Sequence, residues 1–83
     1  MVLSPEPAGT QARTVEIRVA ASASVENIKL DADGWSIGDA TLSEGLWRLT
    51  YRFQQAGERR LTATAADAHG DVVARQSVTF TVR

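Results

Sequence analysis

The chain has 83 residues, nine Lys and Arg against ten Asp and Glu for a formal net charge of −1, 43% hydrophobic residues, one His and no Cys. That length suits one domain, the hydrophobic content excludes an unfoldable chain, and the charge balance argues against nucleic acid or an anionic membrane surface as partner. Without Cys there is no disulfide framework, thiolate nucleophile or Cys-based zinc site, and one His leaves little for metal or triad chemistry.

Residues 1–13 carry both prolines, Pro5 and Pro7, with Ser4, Ala8, Gly9, Thr10 and Gln11, and show neither a period of 2 nor one of 3.6. They read as a flexible or polyproline-like lead-in, and the folded domain is expected over 14–83. Met1 to Pro7 has no basic stretch followed by an apolar one, so it does not read as a signal peptide. No run approaches the roughly 18 apolar residues of a membrane helix, so no membrane insertion is expected.

From Thr14 the pattern alternates. Val15, Ile17 and Val19 face one way and Glu16 and Arg18 the other, which predicts a strand over 14–20. Val25, Ile28 and Leu30 predict a second strand, with a phase slip between Val25 and Ile28 that suggests a bulge or a late start. Asp31-Ala32-Asp33-Gly34 supplies turn chemistry, so Trp35 and Ile37 open a short third strand. Gly38-Asp39 interrupts it, and 40–42 can form only a brief edge strand. Beyond Ser43-Glu44-Gly45, Trp47, Leu49, Tyr51 and Phe53 share one face of the strongest strand. Gln54 to Gly57 breaks the run, and Leu61, Ala63 and Ala65 then alternate with Arg60, Thr62 and Thr64. After the turn at Asp67-Ala68-His69-Gly70, Val78, Phe80 and Val82 define a last strand over 72–82. Seven short strands with closely spaced turns point to an antiparallel sandwich or small barrel.

The stretch from Tyr51 to Gly70, followed by Ser77-Val78-Thr79-Phe80-Thr81-Val82, resembles bacterial immunoglobulin-like and PKD-like modules. Such modules show an aromatic strand, a Gly turn, an alternating strand, an Asp-x-x-Gly turn and a final strand ending in Val. At Arg59 the chain departs from the aromatic that related modules often place two residues after the turn Gly. The resemblance implies that strands 46–53 and 58–66 lie in opposing sheets, with Arg48 and Arg52 on one outer face and Arg60 on the other.

Each candidate site has a plainer structural use. Arg48, Arg52, Arg59 and Arg60 look like a basic patch when read linearly, but a sandwich divides them between two solvated faces. Trp47 is in phase with the core. Trp35 also reads as core, yet it follows a Gly turn at a strand end, so it is the residue to examine for sugar or partner contact. Asp31 and Asp33 fail an EF-hand pattern, because Trp35 and Leu42 occupy its fifth and twelfth positions. Asp67, His69 and Asp71 offer mixed donors, but three ligands in so tight a turn rarely converge on one ion. His69 on an exposed turn is a poor general base. No catalytic residue, metal or cofactor is therefore expected.

The expected fold is all-β: a seven-stranded antiparallel Greek-key sandwich of immunoglobulin-like type. Its core is expected to hold Val15, Ile17, Val19, Ile28, Leu30, Trp35, Ile37, Trp47, Leu49, Tyr51, Phe53, Leu61, Ala63, Ala65, Val78, Phe80 and Val82. The function implied by fold analogy is a non-catalytic accessory module of a larger exported or cell-surface bacterial protein, serving as spacer, domain-docking surface or adhesion unit. Its partners would be neighbouring domains, in an extracellular, cell-surface or periplasmic setting; a cytoplasmic one is the alternative. A second reading is a module for cell-wall glycan or another carbohydrate, using Trp35 with Asp31, Asp33, Asp67 and His69. A third is a small protein that self-associates through an open sheet edge.

Overall fold

Alternation with a period of two resolves into nine strands and no helix in the computed structural model, which describes residues 1–83. They are β1 (Val2–Ser4), β2 (Thr10–Gln11), β3 (Thr14–Val19), β4 (Val25–Ala32), β5 (Trp35–Asp39), β6 (Thr41–Ser43), β7 (Leu46–Arg52), β8 (Gly57–Asp67) and β9 (Val72–Val82). One sheet has the order β1-β3-β7-β6 and the other β2-β9-β8-β4-β5. β7 and β8 are consecutive in the chain yet lie in different sheets. Arg48 and Arg52 thus belong to the first sheet and Arg60 to the second.

The facing surfaces carry the alternating apolar residues. In the first sheet Val15, Ile17 and Val19 are buried, with Val15 paired to Tyr51 and Ile17 to Leu49. In the second, Ile28, Leu30 and Ala32 of β4 lie beside Leu61, Ala63 and Ala65 of β8 and Val78, Phe80 and Val82 of β9. Fully burying a side chain of Val, Leu, Ile or Phe contributes roughly 1.5–3 kcal/mol, so these rows supply most of the stability of a chain without disulfides. Phe53, just past β7, stacks edge-to-face on Tyr51 at 5.0 Å and on Phe80 at 5.7 Å, which ties one sheet to the other. The phase slip in β4 is a register shift between Val25 and Asn27.

Three expectations are corrected. The strands number nine rather than seven, and they are not all antiparallel, since β2 pairs in parallel with β9. Both extra strands fall in the stretch expected to be a flexible lead-in. There Val2 pairs with Val19, Thr10 with Thr81, and Val2 and Pro5 are buried. Strands of three and two residues are too short to show a period, which is why the sequence pattern misses them. The third correction is Trp35, expected in the core but 78% exposed. It opens an edge strand at the rim of the sandwich, whereas Ile37, two residues on, packs against the core.

Candidate functional site

The turn between β4 and β5 has two central residues, Asp33 and Gly34, with φ of 52° and 85°. Both values are left-handed, the combination that a tight hairpin requires and that Asp-Gly supplies. The turn is also clamped to β8. The Asp33 amide donates to the Arg60 carbonyl at 2.9 Å, and the Arg60 amide donates to Asp33 Oδ1 at 2.9 Å. The second carboxylate oxygen of Asp33 lies 3.7 Å from Arg59 Nε. Trp35 therefore stands on a rigid hairpin.

Arg59 reaches from β8 into the same corner. Its guanidinium donates to the carbonyls of Glu58 at 2.9 Å, Gln55 at 2.8 Å and Ala56 at 3.4 Å. The side chain is held by the bend between β7 and β8 and by Asp33, and it contributes little to the solvated outer face expected of it. Trp35, Ile37, Tyr51, Gln54, Gln55 and Arg59 surround a shallow cleft of about 380 Å³. The side chains of Tyr51, Gln54 and Gln55 form no hydrogen bond within the protein, while every buried polar side-chain atom has a partner.

Asp31 belongs to a different surface. With Arg60, Thr62, Arg75 and Ser77 it lines a polar depression on the outer side of the second sheet, where Thr62 and Ser77 hydroxyls meet at 2.8 Å. Asp67 closes its own turn, its Oδ1 accepting from the amides of His69 at 2.9 Å and Asp71 at 3.0 Å. This turn lies beside Val25, while the Asp33 turn lies beyond the Ala32–Leu61 pair. Seven residues of strand, roughly 20 Å, separate the two. The structure thus brings Asp33 to Trp35, leaves Asp31 facing the adjoining outer surface, and sets Asp67 and His69 at the far end. Trp35 and the Asp67–His69 turn therefore do not share one surface.

A larger apolar depression, about 700 Å³, lies at that far end between Val19, Val25, Ala65 and Ala74. Its walls are mostly small aliphatic side chains, and of its polar residues Ser22, Ser24 and Gln76 are already hydrogen-bonded within the protein, which leaves Arg75. On the first sheet Arg18 and Arg48 are paired, with Glu16 3.5 Å from Arg18 and 3.4 Å from Arg48 and Glu44 3.9 Å from Arg48, while Arg52 has no carboxylate within ion-pair distance. The four arginines form no single patch, since Arg48 and Arg52 lie on β7 in one sheet and Arg59 and Arg60 on β8 in the other. The contributions of Arg59, Gln54 and Gln55 escape a sequence reading because they meet Trp35 only through the fold.

No protein-family model and no curated protein match the chain. Among solved structures, it is similar to the fibronectin(III)-like modules of Clostridium thermocellum CbhA, with a TM-score of 0.80 at 17% identity over 99% of this chain and 93% of that one. It is also similar to part of an endo-beta-1,4-mannanase from Thermotoga petrophila, with a TM-score of 0.76 at 17% identity over 99% of this chain and 19% of that one. An engineered protein gives a TM-score of 0.81 at 18% identity, covering 100% of this chain and 19% of that one. At such identities the likeness establishes the fold alone, an immunoglobulin- and fibronectin-like sandwich.

Proposed function

We propose that this chain is a non-catalytic accessory module of immunoglobulin-like type that spaces or docks neighbouring domains within a larger exported bacterial protein. The observation that carries this reading is the superposition of nearly the whole chain on fibronectin(III)-like modules, and on a segment spanning 19% of a mannanase. Charge and chemistry support it. The carboxylates of Asp33 and Asp67 are engaged in turn geometry, and His69 contributes its backbone amide to the Asp67 turn.

The chain ends suit such a use. Met1 bonds to Ala20 beyond the end of β3, whereas Val82 pairs with Gly57 at the start of β8, so the two ends leave opposite poles of a body 37 Å long. Modules of this kind can be strung in line. A head-to-tail duplication of the chain, measured by small-angle X-ray scattering, is expected to add about one long axis of 37 Å to the maximum dimension. A duplicated chain that folds back on itself would overturn the spacer reading.

A further inference from the structure

We infer that the cleft beside Trp35 is a binding site for a neutral oligosaccharide, with the indole stacking on one pyranose ring and Tyr51, Gln54 and Gln55 meeting its hydroxyls. The inference goes beyond the accessory-module reading and stands or falls separately from it.

The first argument is the placement of the ring. The core takes Trp47 and Phe80 but leaves Trp35 78% exposed, so the fold forgoes the burial of a large apolar side chain in a domain that has few. Trp35 also has no aromatic partner, since the ring contacts run from Tyr51 to Phe53 and from Phe53 to Phe80. Its support is rigid, because Asp33 holds the hairpin to β8 by two reciprocal bonds. A ligand that stacks there pays little ordering entropy on the protein side.

Charge selects the ligand. Asp33 and Arg59 face each other, and the Arg59 donors already serve three carbonyls. The cleft therefore has no unpaired charge to recognise an anion or a cation. What it does have free are the phenol of Tyr51 and the amides of Gln54 and Gln55, which together donate and accept. One exposed apolar ring beside neutral two-way hydrogen-bonding groups matches a pyranose, which has an apolar C–H face and a rim of hydroxyls. The cleft, about 380 Å³, is shallow and largely open, so it would contact one face of a sugar and leave the rest of an oligosaccharide in solvent.

A protein partner fits less well. A stable protein interface needs an aromatic anchor near the centre of roughly 800 Å² per side. Trp35 instead stands at the rim, and the other exposed apolar residues, Met1, Leu3, Leu42, Val72 and Val73, lie on other elements.

The test is a fluorescence titration of the 83-residue chain with cellohexaose, mannohexaose and xylohexaose, with trigalacturonate as the anionic comparison. At least one neutral probe is expected to give a saturable blue shift of Trp35 emission, with millimolar or tighter Kd. Trp35→Ala should unfold like the parent, because the ring is exposed, and weaken binding about tenfold or more; Trp35→Tyr should restore part of it. In amide-resolved NMR, the side-chain signals of Gln54 and Gln55 should move with the same Kd. No saturable response to any neutral probe, binding that survives Trp35→Ala, or preference for trigalacturonate would each overturn the site. So would a blue shift that tracks protein concentration and dimer formation in sedimentation.

Discussion

Arg59 Nε lies 3.7 Å from Asp33 Oδ2, joining the β4–β5 hairpin to the start of β8. The Arg59 side chain is 20% exposed and that of Asp33 46%, so solvent screens the pair and its own contribution is modest, about 0–1 kcal/mol. The three exposed carbonyls that Arg59 also bonds contribute more in sum, at roughly 0.5 kcal/mol each, since water replaces the guanidinium only in part. Arg59→Gln is therefore expected to destabilise the domain by about 1–2 kcal/mol in urea denaturation. Asp33→Asn, which keeps an acceptor for the Arg60 amide, should cost less than about 1 kcal/mol. Equal losses for the two would mean that the ion pair, not the carbonyl capping, holds the corner.

The two aspartate turns differ in what they support. Asp67 accepts two amides with one oxygen, and its role ends within its own turn. Asp67→Asn retains that oxygen and should be nearly neutral, whereas Asp67→Ala should cost about 1–2 kcal/mol by leaving two amides without their acceptor. Neither change should alter the emission of Trp35, roughly 20 Å of strand away. A spectral change at Trp35 in either variant would show that the poles are coupled.

Gly34 has φ of 85° with open space around it, so the cost of a side chain there is conformational and not steric crowding. Gly34→Ala is expected to lower stability by about 1 kcal/mol through backbone strain alone. If Trp35 depends on this hairpin for its pose, the variant should also weaken ligand binding without changing which probe is preferred. Calorimetric unfolding and the same fluorescence titration would read both effects.

The central strands were legible because burial repeats along them. Val15, Ile17 and Val19, or Val78, Phe80 and Val82, carry the period in their own spacing, and even the β4 bulge appeared as a broken phase. Alternation misplaces Trp35 because it says which face a residue takes, not whether anything covers that face. Its phase places it opposite Ala32, which is buried, but the end of an edge strand leaves the indole in solvent. The cleft was illegible for a related reason. Residues 33–35 and 54–59 are distant in sequence and meet only because β7 and β8 cross between sheets. Arg59 looked like one of four surface arginines, and only its carbonyl contacts distinguish it.

The lead-in gives the sharpest comparison between pattern and packing. As a linker, residues 1–13 could be removed without effect. In the fold, Val2 and Pro5 are buried, the Val2 amide donates to Gln76 Oε1 at 2.8 Å, and the Ala8 amide donates to Thr79 at 2.7 Å. The Thr81 and Arg83 amides in turn donate to Gly9 and Gln11, each at 2.9 Å, so this segment covers the outer edge of β9. Deleting residues 1–13 exposes apolar surface next to Val19 and frees a run of backbone groups on that edge. The truncated chain is expected to lose about 3 kcal/mol or more, from one buried Val at roughly 1.5–3 kcal/mol and several hydrogen bonds at about 1 kcal/mol each, discounted for partial exposure. It should also associate through β9 at concentrations where the full chain is monomeric. Denaturation and sedimentation of the two chains side by side measure both effects, and a truncation with unchanged midpoint and mass would return the segment to the status of a linker.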